Sequence, residues 1–82
     1  MTEIIQPKIQ EAFSGNSTIT YTCKNPSYMF SIKNDGGSNL TFTINGITIT
    51  VKPGEVFEDY FEVFNNVIVT TTVSYRALIK KY

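Results

Sequence analysis

Residues 40–51 read LTFTINGITITV, and this stretch decides the fold class. Apolar side chains alternate with threonine on both sides of the central Asn45-Gly46 pair. A period of two places alternate side chains on opposite faces of a β-strand. Asn-Gly supplies two residues that tolerate a positive φ, which a two-residue hairpin turn requires. The stretch therefore predicts two antiparallel strands joined by a tight turn.

Similar alternation extends in both directions from this hairpin. Strands are predicted over residues 17–23, 28–33, 39–45, 47–51, 56–64 and 67–82. Turns are predicted at the sequences NPS (25–27), NDGGS (34–38), KPGE (52–55) and NN (65–66). In KPGE, Pro53 presets its φ and Gly54 accepts a positive φ, so the turn is predicted to be type II.

Two of these strands are irregular on the pattern alone. Over residues 56–64, a regular strand would place Asp59 on the face of three apolar side chains, Phe57, Phe61 and Val63. That face would bury the carboxylate or leave it at an edge, and a bulge near Glu58-Asp59 would remove the conflict. Residues 67–82 exceed the usual strand length, which predicts a bend or a frayed tail.

The pattern as a whole predicts an all-β fold. Six or seven short strands indicate a small antiparallel β-sandwich with a jelly-roll-like arrangement, and residues 1–82 form a single domain. The first sixteen residues are predicted to be an N-terminal arm or a short helical turn, with Ile5, Ile9 and Phe13 as its apolar positions. We expect this segment to pack on its own sheet or to reach a neighbouring subunit.

Composition excludes several functional classes. The 82 residues include 7 basic and 7 acidic side chains, so the net charge of 0 argues against nucleic-acid binding by bulk charge. There is no His and only one Cys, so most zinc sites, the Ser-His-Asp triad and an intrachain disulfide all lack parts. We therefore expect no enzyme activity, no metal and no cofactor. Cys23 is expected to be an inert apolar residue in a reducing cytoplasm.

Charged residues form two clusters along the chain. Four acids occupy one short segment, at Glu55, Glu58, Asp59 and Glu62, and three bases lie near the C-terminus, at Arg76, Lys80 and Lys81. The clusters could meet across subunits or pair within one sheet, and acids on an edge strand also block unwanted strand pairing. The residues predicted to form an interface between subunits are Phe57, Tyr60, Phe61, Val69, Arg76 and Lys80.

Two further patterns have a functional and a structural interpretation. The segment 34–39 offers oxygen ligands for calcium but lacks the acid spacing of an EF-hand, which favours a plain turn. The tyrosines could stack on sugars or bases, but no basic groove accompanies them, which favours packing in the core or an interface. They are Tyr21, Tyr28, Tyr60, Tyr75 and Tyr82.

Three stretches carry a family resemblance: FSIKNDG (30–36), LTFTING (40–46) and VKPGEVF (51–57). Their order resembles small β-sandwich modules in tail and baseplate proteins of long-tailed phages of Gram-positive bacteria, particularly the shoulder domain of receptor-binding proteins. The resemblance covers residues 28–76 and carries no catalytic or binding residue to this chain. It implies a sandwich that assembles into rings or trimers. We expect no receptor-binding head within these 82 residues, so the resemblance does not imply host adsorption.

These observations lead to three hypotheses. The first is a non-enzymatic structural or assembly protein of a phage tail, forming a homo-oligomer (trimer or hexamer) and contacting other tail proteins. The second is a small carbohydrate- or cell-wall-binding module, and the third is a hydrolase that uses Asp59 and Glu62. The N-terminus does not resemble a secretory signal, and no apolar stretch approaches the roughly 20 residues of a membrane span. The first hypothesis places the protein in the host cytoplasm during assembly and in the virion tail, without membrane or nucleic-acid partners.

Overall fold

The computed structural model describes residues 8–81, and within them every regular element is a β-strand. This confirms the predicted all-β class. There are six strands: β1 (Lys8–Gly15), β2 (Ile19–Asn34), β3 (Leu40–Ile44), β4 (Ile47–Val51), β5 (Val56–Thr70) and β6 (Tyr75–Lys81). They form one antiparallel sheet in the order β1-β6-β2-β5-β3-β4. The two long strands, β2 and β5, lie at its centre.

The sheet bends so that its two halves face each other. Phe30 on β2 pairs with Asp59, whereas Phe42 on β3 pairs with Val69, ten residues further along β5. A straight strand would separate those two positions by about 30 Å. The ring centroids of Phe30 and Phe42 are only 4.9 Å apart. The centre of the sheet must therefore fold over, and a core forms between the halves.

Pairing irregularities between β2 and β5 explain the bend. Thr22 pairs with Asn66, but the next pair is Ser27 with Phe64, so β2 carries extra residues there. Between the Ser27–Phe64 pair and the Met29–Tyr60 pair, β5 carries the extra residues instead. Bulges of this kind bend a strand and increase its twist. The bulge predicted at Glu58-Asp59 is thus found a few residues later, between Tyr60 and Phe64.

Two predicted turns are strand interior instead. The segment 25–27 lies within β2, because the pairing to β5 skips residues 23–26 and resumes at Ser27, so Pro26 needs no N–H in the ladder. Residues 65–66 lie within β5, where Asn66 pairs with Thr22. The chain reverses later, at residues 71–74, where the Thr71 hydroxyl accepts a 2.9 Å hydrogen bond from the backbone N–H of Val73. The predicted strand over residues 67–82 is therefore divided between β5 and β6.

The predicted hairpin turn at Asn45-Gly46 and the predicted type II turn at KPGE are both confirmed. Asn45 and Gly46 have φ values of 51° and 77°, as a type I′ turn requires. In the KPGE turn, Gly54 has a φ of 76° and the N–H of Glu55 donates to the carbonyl of Lys52 at 3.0 Å. These two turns place β4 at one edge of the sheet, next to β3.

The first part of the chain forms an edge strand. Residues 8–15 are β1, which pairs with β6 from Lys8↔Lys81 to Gly15↔Tyr75. This segment packs on its own sheet, so the predicted helical turn is wrong for residues 8–15. The remainder of the predicted arm, residues 1–7, lies outside the described residues.

Buried Asn34 joins three segments at the end of β2. Its side-chain amide donates to the carbonyl oxygens of Ser38 (2.8 Å) and Val51 (3.0 Å), and its Oδ1 accepts from the N–H of Gly36 at 2.9 Å. A Cβ on Gly36 would lie 2.2 Å from the Cβ of Val73, so a glycine is needed for this close approach. These contacts tie the 34–39 turn to β4 and to the 71–74 turn.

Candidate interaction surface

Three strand edges of the sheet are open within the described part of the chain. β1 pairs only with β6, and residues 56–59, in the first half of β5, pair only with β2. β4 likewise pairs only with β3. An edge strand presents unpaired backbone N–H and C=O groups, which are a template for another strand. These edges are the places where the fold can add a partner.

An apolar groove lies between β4 and the first half of β5. Its floor is formed by Ile49, Phe57 and Phe61, and its volume is about 540 Å³. Phe42 packs beneath it, with its ring centroid 5.1 Å from that of Phe57. Ile47, 52% exposed, forms one wall. The groove is therefore an opening into the core between the two halves of the sheet.

The rim of this groove is acidic. Asp59 and Glu62 both line it, both are exposed, and neither has an ion pair within residues 8–81. The sequence pattern predicted that the Asp59 carboxylate is either buried or at an edge, and the structure places it at an edge. Glu58 differs from them, because Lys80 donates a 2.7 Å hydrogen bond to it and lowers its carboxyl pKa. The predicted contact between the acidic and basic clusters thus forms within the sheet at this pair.

The opposite edge is basic and apolar. Lys8 on β1 lies directly across from Lys81 on β6, and neither lysine has an ion pair in the described structure. Like charges at directly opposed positions repel. Ile9, beside them, is 58% exposed. We call Lys8, Ile9 and Lys81 the basic edge, and Asp59, Glu62 and the apolar groove the acidic groove.

The predicted interface residues have different environments. Phe57, Tyr60 and Phe61 all line the acidic groove. Arg76 is exposed and donates to Asp35 at 2.7 Å, and Lys80 holds Glu58. Val69 is fully buried in the core, so it is not accessible for an interface of the folded chain.

Sequence reasoning missed four exposed apolar residues beside the open edges. Ile9, Ile47, Val56 and Val63 are all more than half exposed. The exposed fraction of Ile47 could not be read from the pattern, because it alternates like a core residue. For Ile9, its position between Lys8 and Gln10 was an available signal of a solvated edge strand.

The other candidate sites have structural roles. The predicted turn interpretation of 34–39 fits the bonds that Asn34 makes, and residues 8–81 contain no group of three His, Cys, Asp or Glu side chains able to hold a metal ion. Cys23 is buried, and burial raises the pKa of its thiol, which reduces its reactivity. Tyr21 stacks on Phe13 with ring centroids 4.0 Å apart.

A buried carboxylate connects β1 to β2. Both oxygens of Glu11 accept from the N–H of Lys24 at 3.0 Å, and one accepts from the Tyr21 hydroxyl at 2.6 Å. Burial alone would raise the pKa of Glu11, but these hydrogen bonds together lower it. The hydrogen bond between Tyr21 and Glu11, together with burial, raises the pKa of the Tyr21 hydroxyl to about 12.

Replacing Tyr21 by Phe tests this connection. We expect the free energy of unfolding to fall by about 1.5 kcal/mol at neutral pH, the lower end for a hydrogen bond to a charged group. Folding favours the protonated tyrosine, so this contribution is complete below pH 10 and is lost as the pH rises from 10 towards 12. Folding also favours ionised Glu11, so the contribution is lost as the pH falls below 4.5.

Urea unfolding across this pH range measures the difference between wild type and Tyr21→Phe. The matched control is Tyr75→Phe, because the buried Tyr75 hydroxyl has no hydrogen-bond partner in the described structure and its removal should be neutral or stabilising. A difference between wild type and Tyr21→Phe that does not change with pH would contradict the assignment.

Residues 8–81 contain no helix with the length and apolar character needed to span a membrane. A comparison of the whole chain with protein-family models, with curated proteins and with solved structures found no match.

Proposed function

We propose that this protein is a non-enzymatic structural module that associates with further copies of itself. The observation that carries this proposal is the pair of open, oppositely charged sides of the sheet, the basic edge and the acidic groove. Each combines unpaired charge with exposed apolar surface, and each adjoins a strand that pairs on one side only. Two such surfaces on one small chain are complementary to each other.

The size of the domain supports association. A chain of 82 residues buries little more than about 60% of the surface that its unfolded state exposes. Small scaffolds commonly gain stability from disulfides, metals or oligomers. The only cysteine is a buried free thiol. Covering the exposed apolar side chains Ile9, Ile47 and Val63 in an interface would add apolar burial that a single copy lacks.

The proposal includes a place for the assembly. The resemblance of residues 28–76 to shoulder-like modules supports a phage tail or baseplate protein, assembled in the host cytoplasm, retained in the virion tail and contacting other tail proteins. The facing halves of the bent sheet support a jelly-roll-like sandwich architecture. On this basis we propose a trimer or a hexamer.

Absolute mass in solution tests the proposal. Light scattering on a sizing column, over a concentration series, should give a mass that is a defined multiple of the 9.2 kDa chain. Raising the salt concentration should lower the mass, because salt screens exposed charges. A mass of 9.2 kDa at every concentration would contradict self-association.

A carbohydrate-binding module is the second candidate, and one observation favours it. Tyr60, 50% exposed, lies beside Tyr28 with near-parallel rings, at an interplanar angle of 10°. Aromatic side chains at a protein surface are the usual platform for a sugar ring. A monomer that binds cell-wall glycans saturably, with binding lost in Tyr60→Ala, would favour this candidate over the first.

A further inference from the structure

We infer that copies of this chain associate head to tail, with the basic edge of one copy against the acidic groove of the next. This inference rests on the proposed self-association and specifies its geometry. In the contact, β1 of one copy lies beside the first half of β5 of its neighbour. Lys8 and Lys81 lie on the same face of the sheet as Asp59 and face the acidic groove, while Ile9 lies on the opposite face and packs against β5 of the neighbour there.

The strand order supplies the first argument. The part of the sheet that holds Phe30 has the order β1-β6-β2-β5, with β5 represented by residues 56–59. Its two outer strands are therefore β1 and β5, and both are open on their outer sides. Joining β1 of one copy to β5 of the next continues the same sheet from copy to copy. Their unpaired backbone groups can then satisfy one another.

Charge supplies the second argument. Lys8 and Lys81 oppose each other directly, and the fold offers neither of them a carboxylate partner within the described residues. Asp59 and Glu62 likewise have no cationic partner within the described residues. Placing the two sets together converts a repulsive pair on each copy into attractive contacts, and it disfavours pairing of two basic edges or two acidic grooves.

The geometry of the contact has a consequence for the assembly. The two surfaces lie on opposite sides of the chain, so one contact leaves a basic edge and an acidic groove still open. Such heterologous contacts continue until a ring closes or a filament grows. The twist between neighbouring strands rotates each copy relative to the last, which favours closure or a helical path over a flat array.

Two complementary variants test the inference. The edge variant carries Lys8→Glu and Ile9→Asp, and the groove variant carries Asp59→Lys and Glu62→Lys. All four side chains are exposed, so both variants should keep the wild-type circular dichroism spectrum. Their unfolding midpoints should fall below that of the wild type only at concentrations where the wild type is associated. We expect each variant alone to have a dissociation constant raised by about a hundredfold or more, because like charges then meet in the contact. Each should therefore elute as a 9.2 kDa monomer where the wild type is associated.

Mixing the two variants provides the decisive measurement. The groove variant keeps a normal basic edge and the edge variant keeps a normal acidic groove, so an equimolar mixture should associate again. Lys52→Glu makes the same charge change as Lys8→Glu at an exposed turn, and it should leave the wild-type mass unchanged.

The alternatives give different results. Contact between two basic edges would leave the groove variant associated, and contact between two acidic grooves would leave the edge variant associated. Either result overturns the head-to-tail geometry, as does an oligomeric wild type whose two variants both keep its mass. A wild type that is monomeric at all concentrations overturns the proposed self-association as well.

Discussion

Replacing Phe42 by alanine should lower the free energy of unfolding by about 3–5 kcal/mol, the usual cost of removing a buried phenylalanine ring. Phe42 is fully buried on β3. Its ring centroid lies 4.9 Å from that of Phe30 and 5.1 Å from that of Phe57, both on the opposite half of the bent sheet. The substitution therefore removes the side chain that holds the two halves together.

Urea unfolding, followed by circular dichroism at one protein concentration, measures this effect. The control is Ile47→Ala in the same hairpin, where the side chain is 52% exposed and the cost should stay below about 1 kcal/mol. Total stability is typically only about 5–15 kcal/mol, so the Phe42 variant should lose a large part of it. A cost for Phe42→Ala as small as that of the control would mean that the two halves do not pack on each other.

Replacing Asn34 by aspartate should lower the free energy of unfolding by about 3 kcal/mol or more at neutral pH, because the buried carbonyl of Val51 and the part-buried carbonyl of Ser38 both lose their donor. The substituted carboxylate would face the carbonyl oxygens of Ser38 and Val51, which now accept from the Asn34 amide. The site is fully buried, so the charged form would also lose its hydration. The backbone stays the same and the volume hardly changes, which isolates the chemistry of the amide.

The pH dependence of this loss has a definite sign. Burial and the two carbonyls would raise the pKa of the new carboxyl above the value of about 3.9 that it has in the unfolded chain. The variant is therefore least destabilised below pH 4 and loses stability as the pH rises. Asn39→Asp, an exposed position just before β3, is the control and should cost less than about 0.5 kcal/mol. Equal losses for the two variants would show that the Asn34 amide does not anchor the turn.

The sequence correctly predicted the turns that require a positive φ, but not every turn. Asn45-Gly46 and the KPGE turn were identified because their positive φ values restrict the residue types that can occupy them. The NPS and NN segments contain turn-forming residues too, but they continue as strand. Whether such residues turn or bulge depends on the hydrogen-bond partners offered by a distant strand, which β5 and β2 offer each other.

The candidate surface was only partly predictable for a similar reason. The aromatic segment around Phe57 and Phe61 was predicted to form an interface, and both residues line the acidic groove. Their role in an interface stays a prediction. Val69 was assigned to the same interface although it lies fully buried. Alternation separates the two faces of a strand, but it does not say which face another part of the sheet covers.

The sequence by itself determined that this is an all-β protein, that its central hairpin turns at Asn45-Gly46, and that one face of residues 67–79 is apolar. These properties depend on neighbouring residues, through side-chain alternation and the φ preferences of turn residues. Only the tertiary structure decided that β2 and β5 continue through the predicted turns and bend. It also decided that the two halves of the sheet pack on each other around Phe42. Those properties depend on contacts between residues far apart in the chain, which set which edges remain open and which charges remain unpaired.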